Sequence, residues 1–381
     1  MIKVSVVIPA LNEEKTVGIC VEKAKNACEN LGIPYEVIVV DNGSSDKTAE
    51  VASEKGAKVV YEEMQGYGAA LLKGFKEAKG DYIIMGDADD SYDFNEIPKF
   101  VEKLDEGYDL VIGSRFKGGI EKGAMPWHHK YIGNPILTCI LNILFKARIS
   151  DAHSGMRGFR RELIERLNLR TTGMEFASEM IVKAIQIGAK IAEVPIVLHK
   201  DKRGRRSHLR SFPDAWRHLR FMLLFTPLNL FLIPGVLLTV IGLIIVCVLV
   251  WGPLQVGPKI LGYHTLIFGS MMAILGYQII IQGLTIRAYA ISRNLLSQPT
   301  FMDRIAMDFT LEKGLIFGSI LLLIGIVPIL KIFITWILQN FSKVEITSLR
   351  PAIFGLTFLT LGVQTVFSSF FISSFKIKSI Y

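Results

Sequence analysis

The chain opens on the apolar run Ile2-Lys3-Val4-Ser5-Val6-Val7-Ile8, which is followed by the polar turn Pro9-Ala10-Leu11-Asn12-Glu13-Glu14. The run is short and rich in β-branched residues, which predicts a buried β-strand. It is too short for the apolar region of a secretory signal peptide, and no small-residue cleavage site follows it. We therefore expect a strand that ends in an acidic turn, in a domain that stays in the cytoplasm.

The alternation of short apolar runs with polar helical stretches continues as far as residue 220. Strands are predicted at residues 2–8, 36–40, 57–61, 81–85 and 109–113, and helices at residues 14–30, 46–55, 67–79 and 95–105. This alternation predicts a parallel sheet with helices on both faces. Ligands of such sheets bind beyond the carboxyl ends of the strands. The residues that directly follow each strand are therefore the candidates for a functional site.

Acidic turns follow the first, second and fourth predicted strands. They occupy residues 13–14, 41–48 and 86–90. In the second turn, Ser45 and Asp46 are residue types that favour the N-terminus of a helix, so we interpret them as structural. Because the carboxyl ends of parallel strands lie along one edge of a sheet, the three turns are expected to be neighbours.

Two carboxylates in the third turn have a different meaning. Asp87 and Asp89 are one residue apart and directly follow an apolar strand. Their oxygens are hard ligands, which suit Mg²⁺ or Mn²⁺. An ion held there and bridging a diphosphate would neutralise the charge that develops on a leaving phosphate.

Two other patterns leave alternatives open. Residues 66–68, Gly-Tyr-Gly, open a predicted helix without the GxGxxG spacing, which favours a closely packed helix start over a phosphate-binding loop. Glu175 and Glu179 lie one helical turn apart. They face either a common cleft or the solvent.

Composition points to a protein with both soluble and membrane parts. Half of the 381 residues are hydrophobic and 20% are charged, while the mean hydropathy is +0.39. This excludes disordered, collagen-like and disulfide-stapled proteins. The four cysteines show no CxxC spacing, which argues against a zinc site. The formal net charge of +8 suits an anionic membrane surface or an acidic substrate.

Four apolar segments are long enough to span a bilayer. They are residues 229–251, 264–286, 314–339 and 352–373. The loop at residues 252–263 carries one cation, whereas that at residues 287–313 carries four. This asymmetry and the even number of spans predict that both termini are cytoplasmic. Before the first span, Trp216 lies among many arginines and lysines, which is typical of a segment at the membrane interface.

The ordered motifs resemble glycosyltransferase family 2, whose catalytic domain has the GT-A fold. The motifs are VIPALNEE at residues 7–14, DNGSSDKT at 41–48, DAD at 87–89, GSR at 113–115 and DAHSGMR at 151–157. The last two are similar to those of the polyprenyl-phosphate hexosyltransferases, such as dolichol-phosphate mannose synthase and the bacterial undecaprenyl-phosphate glucosyltransferases. The resemblance covers about residues 3–210.

This resemblance implies a donor site for a nucleotide sugar with Mg²⁺ or Mn²⁺ as cofactor. The residues implied in nucleotide-sugar binding are Pro9, Leu11, Glu13, Val39, Asp41, Asp87, Ala88, Asp89 and Arg203. Asp89 would be the principal metal ligand. Ser91 is implied as a second ligand, at a position where family members often have Gln, and Asp90 is a candidate substitute.

The resemblance also implies a polyprenyl phosphate acceptor. Arg115, Lys130 and Arg206 would bind its phosphate, although Lys130 stands where the synthases tend to have an arginine. A lysine binds phosphate as a point charge, without the bidentate geometry of arginine. The apolar stripe of residues 125–149 is explained by core packing or by an amphipathic helix on the membrane.

Asp151 completes the implied catalytic set of Asp89, Asp151 and Arg115. It matches a carboxylate position that lies near the reacting sugar in the family. The residues alone allow a structural alternative, in which Asp151 caps the turn before a helix predicted at residues 158–167 or pairs with Arg157.

We therefore expect an α/β protein with a GT-A type, Rossmann-like, mostly parallel sheet, followed by four transmembrane helices. Its predicted parts are a glycosyltransferase domain at residues 1–210, an interfacial amphipathic segment at 211–228 and a membrane domain at 229–381. We expect an integral membrane protein whose catalytic domain lies on the cytoplasmic face of the plasma membrane.

The expected reaction is the inverting transfer of a hexose from a nucleotide diphosphate sugar, of the GDP-mannose or UDP-glucose type, to a polyprenyl phosphate. The alternatives are a processive membrane polysaccharide synthase, disfavoured because no QxxRW sequence occurs, and a non-catalytic carrier or scaffold for lipid-linked sugars. We expect no nucleic-acid partner, because the cations cluster beside membrane spans. A homo-oligomer through the membrane helices is left open.

Overall fold

The computed structural model describes residues 2–202, 211–225, 228–292, 310–341 and 345–375. The chain divides into two compact units, residues 1–224 and 225–381. The segment predicted to be interfacial, residues 211–228, therefore contributes most of its length to the first unit.

The first unit alternates strands and helices close to the predicted positions. Its elements up to the fifth strand are β1 (Val4–Ala10), α1 (Val17–Asn30), β2 (Tyr35–Asp41), α2 (Thr48–Glu54), β3 (Lys58–Tyr61), α3 (Tyr67–Glu77), β4 (Tyr82–Met85), α4 (Ile97–Asp105) and β5 (Leu110–Ser114). The elements that follow are α5 (Arg115–Gly118), α6 (Asn134–Phe145), β6 (Arg157–Arg160), α7 (Arg161–Leu167), α8 (Phe176–Gln186), β7 (Ile191–Pro195) and α9 (Ser211–Phe225).

Within the described residues of this unit, seven strands form one sheet in the order β3-β2-β1-β4-β6-β5-β7. Strands β3, β2, β1 and β4 are parallel, and Val4 of β1 lies opposite both Tyr35 and Tyr82. Strand β6 runs antiparallel between β4 and β5, with Gly158 opposite Ile84 and Val111. The expected mostly parallel α/β sheet is confirmed.

One predicted element is wrong in its first part. The helix predicted at residues 158–167 begins at Arg161, because residues 157–160 form the strand β6. These four residues, Arg-Gly-Phe-Arg, contain a single large apolar side chain and so show no apolar strand pattern. They become a strand because the ladders of β4 and β5 satisfy their backbone groups on both sides.

The apolar runs that predicted the strands form the core of this unit. Val4, Val6 and Ile8 of β1 are fully buried, as are Val17 and Val21 of α1, which belong to the same hydrophobic cluster. Burial of side chains of this size contributes about 1.5–3 kcal/mol each. The central strands are thus fixed by their apolar faces, and the polar turns remain at the sheet edge.

The second unit is mainly helical. Its elements are α10 (Ile233–Leu249), β8 (Leu254–Val256), β9 (Lys259–Leu261), α11 (Tyr263–Ser292), α12 (Leu311–Leu338) and α13 (Leu349–Ser374). In the part of the chain that the structure describes, four segments are long and apolar enough to cross a membrane: Leu230–Leu249, Tyr263–Tyr289, Leu311–Leu338 and Ile346–Ser374. They lie close to the predicted spans, and the protein is an integral membrane protein.

Glycines let the membrane helices approach in pairs. A Cβ atom on Gly242 of α10 would lie 2.5 Å from the carbonyl oxygen of Gly269 of α11. One on Gly325 of α12 would lie 2.6 Å from the carbonyl oxygen of Gly355 of α13. In lipid, where apolar surface gains little from leaving its surroundings, such close backbone packing is a main source of helix association.

Polar side chains join the two pairs. The hydroxyls of Ser270 in α11 and Thr357 in α13 lie 2.7 Å apart, and the Gln364 amide donates to Gln278 Oε1 at 2.9 Å. Hydrogen bonds of this kind hold helices together in lipid, although each contributes only about 0.6–2 kcal/mol.

Replacing Gly242 by leucine is expected to destabilise the membrane unit by about 1–3 kcal/mol, because the larger side chain forces α10 and α11 apart. The melting temperature of the detergent-solubilised protein measures this change. The matched control is Gly252→Leu, since a Cβ there meets only the end of Arg350, 3.7 Å away. Equal melting temperatures of the two variants would contradict the close-packing assignment.

Candidate functional site

The sheet order brings the acidic turns together. Strand β1 lies between β2 and β4, and all three are parallel. Their carboxyl ends are therefore neighbours, and the turns at residues 11–14, 42–48 and 86–91 line one edge of the sheet.

The first two turns are tied directly to each other. Asn12 N–H donates to Ser44 Oγ at 2.9 Å, and Ser45 N–H donates to Asn12 Oδ1 at 2.7 Å. Glu13 N–H donates to Thr48 Oγ1 at 2.7 Å. These cross-links make one rigid wall from two separate segments of the chain.

Asp46 behaves as the sequence predicts for a structural residue. Its Oδ1 accepts from Thr48 N–H at 3.0 Å, at the start of α2, and its Oδ2 accepts from Glu14 N–H at 3.2 Å. Burial opposes ionisation of Asp46, but the hydrogen bonds from Thr48 and Glu14 lower its pKa below the ordinary value. Asp46 thus stays ionised and braces the wall.

Four of the nine residues implied in nucleotide-sugar binding lie at this wall. Glu13 and Asp41 are buried, whereas Pro9 and Leu11 are half-buried. Asp41 accepts from Ser44 N–H at 3.2 Å and from the Ser44 hydroxyl. Val39 is different, because its side chain is fully buried in the hydrophobic core below the edge. The structure therefore does not bring the Val39 side chain to the site.

The Asp87–Ser91 turn is compact. Asp89 is buried, and its Oδ1 accepts from Ser91 N–H at 3.0 Å and from the Ser91 hydroxyl at 2.5 Å. Ala88 is buried in the core cluster. The predicted pair Asp89 and Ser91 is thus brought together, and its oxygens fit the preference of Mg²⁺ or Mn²⁺ for hard ligands. The described residues contain no cluster of three histidine, cysteine or acidic side chains suited to a metal.

The candidate substitute Asp90 forms ion pairs with two lysines. Its side chain is fully enclosed, with Lys23 Nζ 2.7 Å from Oδ1 and Lys202 Nζ 2.7 Å from Oδ2. Its backbone φ of 58° is in the left-handed region, which costs energy for a residue other than glycine. The two ion pairs hold this strained turn in place and tie it to α1 and to the segment that ends at Lys202.

Arg115 and Asp151 form a buried ion pair. Arg115 Nε donates to Asp151 Oδ2 and Nη2 donates to Oδ1, both at 2.7 Å, and the Arg115 backbone N–H adds a third bond of 3.0 Å to Oδ2. Asp151 is fully buried. Arg157 instead donates to the backbone carbonyls of Ser154, Ala152 and Ala177. The suggested pairing of Asp151 with Arg157 is therefore wrong.

Two neutral histidines pack behind this pair. The rings of His153 and His218 meet edge to face with centroids 4.6 Å apart, and His218 Nδ1 lies 2.8 Å from Ser178 Oγ. Burial lowers the pKa of His218 to about 4 and that of His153 well below the ordinary value. Helix α9 is thus fixed to the loop after Asp151 by uncharged contacts.

Of the three predicted phosphate contacts other than Arg115, only Lys130 belongs to the described residues. Lys130 is half-buried in a helical turn before α6, with Nζ 5.5 Å from the centroid of the Tyr131 ring. Arg203 and Arg206 lie outside the described residues. The described segment before them ends at Lys202, whose N–H donates to the Asp89 carbonyl at 3.3 Å.

Glu179 has a role that neither sequence interpretation proposed. It is buried, accepts from Thr171 N–H at 2.8 Å and lies 2.7 Å from Lys183 Nζ. It therefore holds the loop of residues 170–172, which in turn packs on Gly66 and Gly68. The one-turn spacing of Glu175 and Glu179 did not indicate that Glu179 stabilises the fold.

The sequence is similar to those of known glycosyltransferases. Residues 5–167 match the model of glycosyl transferase family 2, and residues 284–376 match that of the glycosyltransferase family 2 C-terminal transmembrane region. The chain is 41% identical over 371 residues to the low-salt glycan biosynthesis hexosyltransferase Agl6 of Haloferax volcanii, covering 97% of this chain and 88% of that protein.

Two more distant similarities cover a little over half of the chain. The chain is 33% identical over 208 residues to the dolichol-phosphate mannosyltransferase of Pyrococcus furiosus, covering 53% of this chain and 58% of that protein. A crystal structure of glucosyl-3-phosphoglycerate synthase from Mycobacterium tuberculosis, in complex with Mn²⁺, UDP and glucosyl-3-phosphoglycerate, aligns with a TM-score of 0.48 and 24% identity over 58% of this chain and 78% of that chain.

Replacing Asp151 by asparagine is expected to destabilise the first unit by about 3–5 kcal/mol, because it leaves the buried Arg115 charge without its counter-ion. Thermal unfolding of the full chain measures the loss. The control is Glu121→Gln, which removes the exposed carboxylate beside His199 and is expected to leave the melting temperature nearly unchanged. An Asp151→Asn variant as stable as the control would show that the pair contributes no stability.

The low pKa values of the buried histidines predict that the first unit loses stability in acid. Unfolded His218 takes up a proton near pH 6.5, whereas the folded group does so near pH 4. Between these values the unfolded state binds more protons, so the free energy of unfolding falls as pH falls. Urea unfolding measures the free energy of unfolding across this range. Between its upper and lower ends, the His218→Gln variant is expected to lose about 2–3 kcal/mol less of this free energy than the wild type. An unchanged acid slope in this variant would contradict the assignment.

Proposed function

The chain belongs to glycosyl transferase family 2, and we propose that it transfers a hexose from a nucleotide diphosphate sugar to a polyprenyl phosphate such as dolichyl phosphate. One observation carries the proposal. In this membrane-anchored chain, the acidic turn at Asp87–Asp89 lies at the same sheet edge as the loop that holds the Arg115–Asp151 pair. Gly155 of that loop packs against the Asp87 carboxylate.

The relatives support both halves of the proposal. The similar protein that covers nearly the whole chain carries the name hexosyltransferase. The similar mannosyltransferase carries dolichol phosphate in its name. The transfer of a hexose from a sugar nucleotide to a lipid phosphate is consistent with both names.

The donor would be held at the wall of the first two turns and at the Asp87–Ser91 turn. Glu13 and Asp41 would face the nucleoside, and Asp89 with Ser91 would hold a divalent cation on the diphosphate. Such a cation, when bound, neutralises the charge of the departing nucleotide diphosphate. Because the hydrogen bonds of Ser91 fix Asp89 Oδ1, the carboxylate is oriented before the donor arrives.

The acceptor phosphate is already an anionic nucleophile, so the site needs no strong general base. Its main task is to hold two anionic reactants in line, which lowers the barrier by several kcal/mol. Arg115 would attract the acceptor phosphate, while its bidentate pair with Asp151 fixes the guanidinium plane. Attack by a phosphate oxygen from the face opposite the leaving group would invert the anomeric centre.

The surface of the first unit suits a substrate whose tail stays in the bilayer. Trp127, Tyr131, Ile136 and Ile143 are more than half exposed in and before α6. On α9, Phe212 is 89% exposed. Aromatic and aliphatic side chains of this kind, together with neighbouring cations, bind the membrane interface. We place the catalytic unit on the cytoplasmic face of the plasma membrane, following the cation asymmetry of the membrane loops.

The test is transfer by the purified full chain. The protein is incubated with a panel of sugar nucleotides, Mn²⁺ or Mg²⁺ and polyprenyl phosphate, and the lipid product is identified by mass spectrometry. A polyprenyl phosphate that has gained a hexose supports the proposal. No lipid product with any donor in the panel would refute it.

Replacing Asp89 by alanine is expected to abolish product formation, because the cation loses its principal ligand, while the protein still inserts into membranes. Asp81→Ala is the matched control, since Asp81 is exposed just before β4 and Asp89 follows the opposite end of that strand. Control activity is expected to stay close to wild type. Full activity of the Asp89→Ala variant would refute the metal assignment.

A further inference from the structure

The first aspartate of the Asp87–Ser91 turn is held from two sides. The Tyr67 hydroxyl, at the first residue of α3, donates to Asp87 Oδ1 at 3.0 Å. On the other side, a Cβ on Gly155 would lie 2.5 Å from Asp87 Oδ2. The carboxylate thus lies between a phenol and a bare backbone carbon.

Tyr67 is itself held firmly. The glycines on either side of it, Gly66 and Gly68, leave no space for a Cβ because the carbonyls of Thr172 and Thr171 pack directly on them. Gly66 N–H also donates to Asn42 Oδ1 at 2.8 Å. The first turn of α3 is therefore clamped between the end of β2 and the loop that Glu179 holds.

Gly155 is positioned from the acceptor side of the site. Its N–H donates to the hydroxyl of the buried Tyr92 at 2.8 Å. Its loop begins at Asp151, which is bound to Arg115. A displacement of the Arg115–Asp151 pair would therefore move Gly155 and, through it, the Asp87 carboxylate.

We propose that Tyr67 and Gly155 are positioning residues that fix the Asp87 carboxylate for the nucleotide sugar, and that Gly155 links the donor geometry to the Arg115–Asp151 pair. This inference rests on the proposed function, in which Asp87 belongs to the donor site. Neither residue needs to touch the substrate. Their effect is to remove the alternative orientations of Asp87 before binding, which lowers the cost of forming the complex.

The chemistry of Tyr67 agrees with this role. Burial and the neighbouring Asp87 carboxylate raise the pKa of the Tyr67 hydroxyl well above its ordinary value. The hydroxyl therefore stays protonated throughout the physiological range and acts as a hydrogen-bond donor.

The test compares Tyr67→Phe with Tyr82→Phe in the full chain. Both substitutions remove one tyrosine–aspartate hydrogen bond at an end of β4, since the Tyr82 hydroxyl donates to Asp105 Oδ1 at 2.7 Å. Tyr67→Phe is expected to raise the KM for the sugar nucleotide and the Kd for UDP or GDP with Mn²⁺ about tenfold, equivalent to about 1.4 kcal/mol. The KM for polyprenyl phosphate is expected to stay within about twofold, and Tyr82→Phe is expected to change neither constant.

A double-mutant cycle separates positioning from a general effect on folding. In an Asp87→Ala background, Tyr67→Phe is expected to change the nucleotide Kd by less than about twofold, because the group it orients is gone. Gly155→Ala, whose added methyl displaces the carboxylate, is expected to weaken nucleotide binding in wild type and to do so much less in the Asp87→Ala background.

Unchanged nucleotide binding in Tyr67→Phe, or the same tenfold loss with and without Asp87, would overturn the inference. Failure of the proposed function has a different signature. If the wild type binds UDP or GDP but transfers no sugar, the proposed function falls, and the comparison of Kd values still decides the inference. If the wild type binds neither nucleotide, both are refuted.

Discussion

The buried ion pair between Arg115 and Asp151 is the interaction on which the arrangement of the site depends. Burying two charges is costly unless their mutual geometry is good and their remaining groups are satisfied. Here the fork of Arg115 and its backbone N–H make three hydrogen bonds to one carboxylate. The pair joins the end of β5 to the loop that precedes β6, so that two distant parts of the sequence become one support.

The antiparallel strand β6 makes this possible. In a wholly parallel sheet, only the carboxyl ends of strands lie at the functional edge. Because β6 runs antiparallel between β4 and β5, the loop before it arrives at that same edge. Asp151 and Gly155 thus lie beside the acidic turn that follows β4, and the two sides of the site are assembled before any substrate binds. Such preorganised polar groups stabilise developing charge without reorganisation.

The interactions that stabilise the membrane unit differ from those that stabilise the first unit. Its helices pair through glycines and through hydrogen bonds between Ser270 and Thr357 and between Gln278 and Gln364, whereas the sheet is held by buried β-branched side chains. The proposed transfer needs both water and lipid, because a sugar nucleotide dissolves in water and a polyprenyl tail stays in the bilayer.

The sequence by itself determined the first five strands, the acidic turns and the four spans, because each has a local signature: an apolar run, a strand–turn junction or a block of about 20 apolar residues. Only the tertiary structure decided that Asp151 pairs with Arg115 and not with Arg157, that Val39 lies in the core and that β6 is a strand. It also decided that Tyr67 and Gly155 contact Asp87 and that Glu179 holds the loop of residues 170–172. These are contacts between segments far apart in the chain. Their partners are chosen by sheet order and backbone direction, which no local pattern of residues encodes.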